Sequence, residues 1–268
     1  MHLDHFFSKG KGHAVCQDYA VSGMSPVPYA FISDGCSSSL NSEIGAMLLC
    51  RMAAERSSVF SELDRFEQSI LFRIKTIGSV LALKEESLDA TLVGICVDEK
   101  IVNISAWGDG HIIFIKKNGN IHIISIAYES NAPFYLSYLE SHRQKIYIDR
   151  FGLMKKIISN SICSFGSNIH ETFLREDSLF ERISIPVIAG DYACILVASD
   201  GLSSFVEKKE DGASQPVLAE KVIIDLVSFK SSTGEFIKRR LNRLLRDYEK
   251  KGIFPLDDIS VAGVWLGD

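Results

Sequence analysis

The stretch "YAFISDGCSSSLNSEIGAMLL", residues 29–49, opens as an aromatic and β-branched strand, breaks at Asp34-Gly35, passes through small polar residues and resumes with apolar residues at helical spacing. A single Asp-Gly after a strand is ordinary turn chemistry. Here the pattern of a carboxylate at the end of an apolar or β-like run recurs: Asp18 in "VCQDYA", Asp34 in "FISDGC", Asp200 in "VASDGL" and Asp257 in "PLDDIS". Carboxylates at the ends of adjacent central strands can converge, and there they repel one another unless protonated or neutralised by cations. All-oxygen ligands without Cys or His pairs suit magnesium or manganese rather than zinc or copper. Two such ions lower the pKa of a shared water and neutralise phosphoryl oxygens, so that no protein nucleophile is needed.

Around these aspartates, "ATLVGICVD", "IVNISAWGD", "HIIFIKKNG" and "IHIISI" follow one another between turn residues and read as an antiparallel meander. The runs at residues 192–201 and 257–266 read as central strands. Helices come in pairs. One starts at Asn41 or Ser42 as cap and runs through residue 60, continuing over residues 62–83. The second covers residues 216–229, with Pro216 near its first turn, and residues 233–250, ended by Gly252. Hairpins plus consecutive helices predict α+β layering rather than alternating βαβ units. Residues 129–186 carry no sustained period and predict short helices and an irregular flap bordering a site. With no repeat or low-complexity linker, residues 1–268 read as one domain.

Composition excludes several classes. Hydrophobic residues make up 46% and charged residues 24%, and 29 basic residues against 34 acidic give a net charge of −5. A general nucleic-acid binder needs a basic excess, so no nucleic-acid partner is expected. Basic residues do cluster in "KRRLNRLLRDYEKK", residues 238–251, where Ile237, Leu241, Leu244, Leu245 and Tyr248 form an apolar stripe; a solvated face is the first reading and a docking surface the second. The start lacks a signal peptide and no apolar run reaches the ~20 residues that span a bilayer. The expectation is a cytoplasmic protein without membrane insertion, its six scattered cysteines reduced.

In order and spacing, "CQDYA", "FISDG", "ATLVGICVD…VNISAWGDGHIIFIKKNG", "ILVASDGLSSF" and "DDISVAGVWL" resemble the motifs of the PP2C-type (PPM) metal-dependent Ser/Thr protein phosphatases, in a bacterial-type member. The resemblance spans nearly the whole chain. It implies a four-layer α-β-β-α sandwich, two central antiparallel sheets flanked by helix pairs, and hydrolysis of phosphoserine or phosphothreonine with two Mn2+ or Mg2+ ions. It also implies a phosphorylated protein substrate with a cognate Ser/Thr kinase. Position by position, Asp34 becomes the ligand bridging both metals, the Gly35 carbonyl a ligand of the second, and Asp200 and Asp257 ligands of the first. Asp18 becomes the residue that orients water from behind the ligands. Asp109, in "WGDGH", falls where bacterial members can hold a third metal; a turn carboxylate fits it equally.

The chain departs from the family pattern in three places. His13 stands where many members carry an arginine that clamps the substrate phosphate; it is either a single-bond substitute or a solvated loop residue, with Lys9, Lys11 or Arg143 as other candidate donors. The turn after Asp34-Gly35 is Cys36-Ser37-Ser38, without the histidine proposed as general acid in eukaryotic members, although a serine hydroxyl or water can protonate a leaving group. Cys36 is not the nucleophile of a cysteine phosphatase, because the sixth residue after it is Ser42 rather than an arginine. Asp258 replaces the usual asparagine beside the last metal aspartate, so either Asp257 or Asp258 can ligate. The alternative to an active enzyme is a pseudophosphatase acting as a protein-binding regulatory domain. Walker A, G-x-S-x-G, dinucleotide and H-E-x-x-H motifs are absent.

Overall fold

The computed structural model describes residues 1–153, 155–164, 171–177, 182–209 and 212–267. Along the chain lie β1 (His2–Ser8), β2 (Asp18–Gly23), β3 (Tyr29–Asp34), helices α1 (Ser42–Glu55) and α2 (Leu63–Val80), then β4 (Leu92–Asp98), β5 (Ile101–Trp107), β6 (Gly110–Lys116) and β7 (Asn120–Tyr128). Helix α3 (Ser141–Phe151) precedes β8 (Lys156–Ser164), β9 (Glu171–Asp177), β10 (Ile183–Ile188) and β11 (Tyr192–Ala198). After β12 (Phe205–Lys208) and β13 (Ser214–Pro216) come α4 (Ala219–Leu226), α5 (Phe236–Glu249), β14 (Ile253–Pro255) and β15 (Ile259–Trp265).

Among the described residues, one main sheet has the order β1-β15-β11-β6-β7-β8-β9 and the other β10-β5-β4-β3-β2, with a small β13-β12-β14 sheet at one side. All pairings are antiparallel. Strand β4 shows why the layers form. Its apolar run is buried on both faces, with Val93, Ile95 and Val97 turned into the core between the sheets and Leu92 and Cys96 into a second core beneath α1 and α2. Strand β11 does the same from the other sheet. Ile195 and Val197 enter the inter-sheet core, while Cys194 and Leu196 enter a third core with Val222, Ile223, Ile237 and Leu241 of α4 and α5. Three apolar interfaces separate four layers, as the α-β-β-α sandwich requires.

Several local expectations change. The four-strand meander is divided: β4 and β5 form a hairpin in one sheet, β6 and β7 in the other. The chain crosses between sheets at Gly108-Asp109-Gly110, where φ of +93° and +132° at the glycines makes a turn few side chains tolerate. Period-2 alternation reads the same in either sheet, so the crossing leaves no trace in it. The expected short helices occupy Glu129–Asn131, Leu136–Leu139 and α3, but much of the remaining segment is strand rather than irregular flap. Strand β8 pairs with β7 from Asn120↔Ser164 to Tyr128↔Lys156. Residues 154, 165–170 and 178–181 of that segment lie outside the described residues. Pro216 belongs to β13, opposite Val206, and does not start α4. At α1 neither expected residue caps the helix N–H groups with its side chain: Asn41 adopts a left-handed conformation, and Ser42 is buried, its hydroxyl accepting from Gln17 Nε2 instead.

The inter-sheet core sets the separation of the sheets. Ile195→Ala, at a side chain with 0% exposure, is expected to lower unfolding free energy by about 2–5 kcal/mol in urea titration. Ile101→Ala, 48% exposed, should stay within about 0.5 kcal/mol of wild type.

Candidate metal centre

Strand pairing brings the first two aspartates together, because the β2–β3 register places Asp18 directly opposite Asp34. The chain then leaves the sheet through Gly35, whose N–H donates to Gln17 O at 3.2 Å and which bridges to Ala90. A Cβ there would lie 2.7 Å from Ser42 O, so glycine lets the loop press against the start of α1. Thr91 holds Asp34 from β4's end: its hydroxyl accepts the Asp34 N–H at 2.9 Å, and its own N–H donates to Asp34 O at 2.8 Å.

The other sheet supplies Asp200, just after β11, and Asp257 and Asp258, just before β15. Ser199 joins the sheets. Its N–H donates to Ser260 O at 3.0 Å, and its hydroxyl accepts from Ser260 N–H at 2.9 Å and donates to Asp18 Oδ2 at 2.7 Å. Asp109 arrives from the crossing between β5 and β6. Asp34, Gly35, Asp109, Asp200 and Asp257 therefore line one cleft of ≈230 Å3, with His13, Cys36, Thr91 and Tyr135 among its other walls. Asp18 is 3% exposed and does not line the cleft.

Among the described residues, no lysine or arginine lines this cleft. Burial, reinforced by Asp18, Asp200 and Asp109, holds the Asp34 carboxyl well above the usual carboxylate range. Burial and Asp200 do the same to Asp109, and burial with Asp257 raises Asp200. Burial pushes Asp18 up to about 7 despite the hydrogen bond from Ser199. Asp18 Oδ1 and Asp200 Oδ1 are buried with no hydrogen-bond partner among the described residues. Uncompensated buried carboxylates cost several kcal/mol each by general experience. Oxygen donors with unused lone pairs, crowded and short of positive charge, fit a hard divalent cation.

Asp257 and Asp258 separate clearly. Asp258 is 1% exposed, and its carboxylate accepts from Gly10 N at 2.7 Å, Gln17 N at 2.6 Å and His13 Nδ1 at 3.0 Å. It straps the loop after β1 to the start of β15, while Asp257 faces the cleft. The two departures from the family pattern thus meet: His13 bonds Asp258 through Nδ1 and lies 3.4 Å from Asp257 Oδ1 through Nε2. Burial works against a charged His13, but the Asp258 hydrogen bond and the field of Asp257 prevail, and its pKa rises.

The other cations considered for phosphate are placed elsewhere. Arg143 is buried, donating to Asp89 at 2.8 and 3.1 Å and to Glu85 O at 2.6 Å. Asp89 also accepts from Ser137 and Tyr138, and its carbonyl accepts the Cys36 N–H at 2.8 Å, so Asp89 fastens α3 and the segment before it to the loop after Asp34. Lys9 donates to His13 O, and Lys11 lies over the Phe254 ring. Ser199, Thr91 and Tyr135 escaped the sequence reading. Ser199 directly precedes Asp200, a position that marks it in retrospect; Thr91 and Tyr135 carry no local signal.

The arrangement predicts opposite effects of one substitution. Asp34→Asn removes one repelling charge and should raise the melting temperature of chelator-treated protein. Mn2+ at about 100 times its dissociation constant should stabilise the wild type by about 2.7 kcal/mol and the variant far less, as read by thermal melting.

The family described as "Protein phosphatase 2C" matches residues 8–246 of the chain. No curated protein sequence matches it. Among solved structures, the Mycobacterium tuberculosis serine/threonine phosphatase PstP/Ppp is 15% identical, with 100% of this chain and 99% of that chain covered and a TM-score of 0.56. Serine/threonine phosphatase Stp1 from Staphylococcus aureus is 15% identical, with 98% and 96% covered and a TM-score of 0.55. The catalytic domain of PstP in complex with two manganese ions is 14% identical, with 98% and 96% covered and a TM-score of 0.51. At such identities the likeness to solved structures is one of fold.

Proposed function

The chain belongs to the protein phosphatase 2C family of metal-dependent Ser/Thr protein phosphatases, and from that membership we propose that it hydrolyses phosphoserine or phosphothreonine in a phosphoprotein at the cleft built by Asp34, Asp109, Asp200 and Asp257. The observation that carries this reading is the convergence of those carboxylates from both sheets on one cleft, with Asp200 Oδ1, and Asp18 Oδ1 behind it, buried without a hydrogen-bond partner and no lysine or arginine in the lining among the described residues.

In this reading the whole chain, residues 1–268, acts as one phosphatase domain. Asp34 and the Gly35 carbonyl, with Asp200 and Asp257, hold two Mn2+ or Mg2+ ions, and Asp109 contributes to a third. When bound, the ions supply an activated water and neutralise charge on the phosphoryl group. Asp18 keeps Asp34 in place from behind and, fixed by Ser199, orients the attacking water. His13 donates from Nε2 to a phosphoryl oxygen, with Asp258 fixing its other nitrogen. A single imidazole donor replaces the two-pronged grip of an arginine, which weakens ground-state binding of phosphate. The exposed serines after Cys36 border the cleft, where a hydroxyl can pass a proton to the departing alkoxide.

We place the activity in the cytoplasm, opposite a Ser/Thr kinase that phosphorylates the same substrate. Free cysteines, and the lack of any helix among the described residues long and apolar enough to cross a membrane, accord with that location.

The test is turnover of an aryl phosphate and a phosphothreonine peptide with Mn2+, Mg2+ or chelator. Wild type should be active with metal and silent in chelator, Asp34→Asn inactive in both, and Asp18→Asn slower by about 10–100-fold. Equal turnover by wild type and Asp34→Asn, or activity indifferent to chelator, would overturn the proposal; metal binding without turnover would favour the partner-binding alternative. His13→Ala should raise KM for the phosphopeptide by about tenfold or more while leaving Mn2+ affinity in place.

A further inference from the structure

A groove of ≈410 Å3 lies between the α4–α5 connection and the outer side of α5, and it shares no lining residue with the aspartate cleft. Lys230, Lys238, Arg239, Arg240, Arg243 and Arg246 line it, and Glu235 is the one carboxylate in its wall among the described residues. The chain as a whole carries −5, so this is a local inversion of its charge.

Two of the charges are accounted for by folding. Arg240 turns inward to the last carbonyls of α4, donating to Leu226 O at 3.2 Å and to Asp225 O, and Lys238 pairs with Glu235 at 2.7 Å. The remaining four are not. Arg239 donates to Thr233 O, Arg246 to Asn242 O, and neither these nor Lys230 and Arg243 meet a carboxylate among the described residues. Arg239, Arg243 and Arg246 fall at i, i+4 and i+7, one stripe of about 10 Å along the helix. Lys238 and Arg239 also sit in the first turn of α5, where the helix dipole disfavours cations. Helix stability therefore does not explain their placement. The carboxylate that does serve that end, Asp4, is buried against the Ile237 and Lys238 N–H groups and does not line the groove.

The groove also has an aromatic wall. Phe229 is half-buried, its ring edge-on to Phe236 and Trp265, and it lines the groove beside the guanidinium groups. We propose that this groove docks an acidic protein segment carrying an aromatic side chain, the carboxylates meeting the arginine stripe and the ring packing on Phe229. Guanidinium forks match carboxylates in pairs, and Arg beside an aromatic face is a recurrent peptide-binding combination. A nucleic acid fits less well. Single strands need successive stacking faces, whereas Phe236 is fully buried and Phe229 offers one, and the acidic remainder of the chain repels an extended polyanion.

The test is fluorescence anisotropy of the full chain with a short fluorescein-labelled peptide of glutamates interrupted by phenylalanine. Wild type should bind, with affinity falling as salt rises, and a glutamine-for-glutamate peptide should not. Arg243→Glu with Arg246→Glu should weaken binding by about tenfold or more, while the melting temperature reports an intact fold; Arg243→Gln with Arg246→Gln serves if charge reversal prevents folding. Absence of peptide binding, unchanged affinity in the folded variants, or tighter binding to an oligonucleotide or to phosphatidylserine vesicles than to the peptide would overturn the proposal.

Discussion

Carboxylates gathered in one buried cleft repel one another, and most of what surrounds them here serves to hold them against that repulsion. The two sheets do this from opposite sides. Each contributes aspartates at strand ends, where the backbone is fixed by ladder hydrogen bonds and side-chain freedom is small. The apolar core between the sheets sets their spacing, and Ser199 ties Asp18 of one sheet to Ser260 of the other. Repulsion is thus opposed by burial of a large apolar area rather than by neighbouring lysines or arginines, which leaves the charge free to be matched by cations.

Where the chemistry is local, it is legible in the chain. Asp34-Gly35 and Asp200-Gly201 announce themselves because a strand that stops at a carboxylate before glycine looks the same in isolation as in the fold. Strand β4 is legible for the same reason, since a run buried on both faces is apolar throughout. The crossing at Gly108-Asp109-Gly110 is not legible, because alternation within β5 and β6 does not encode which sheet each joins. Strand β8, "KIISNSICS", alternates apolar with polar residues weakly, and only pairing with β7 makes it a strand. Arg143 reads as a free cation and turns out to be consumed by Asp89, a pairing across 54 residues that no local pattern predicts.

The contact between His13 and Asp258 is the clearest gain from the structure. Taken separately, the two residues look like independent departures from the family pattern. In space they form one unit: a buried carboxylate accepts two backbone N–H groups and one imidazole nitrogen, and so fixes the ring at the edge of the cleft. Neither substitution has the same meaning without the other.

The same strap has a consequence for biosynthesis. Strand β1 pairs along its length with β15, and Asp258 bonds residues 10 and 17, so the earliest and latest parts of the fold close on one another. During translation the first strand emerges without its partner, and it stays unpaired until residue 265 has cleared the ribosome. The aspartate cleft is complete only once residue 257 has been made, because Asp200 follows β11 and Asp257 precedes β15. A ribosome-bound fragment ending before β15 should therefore expose β1 and one flank of β11 to chaperones.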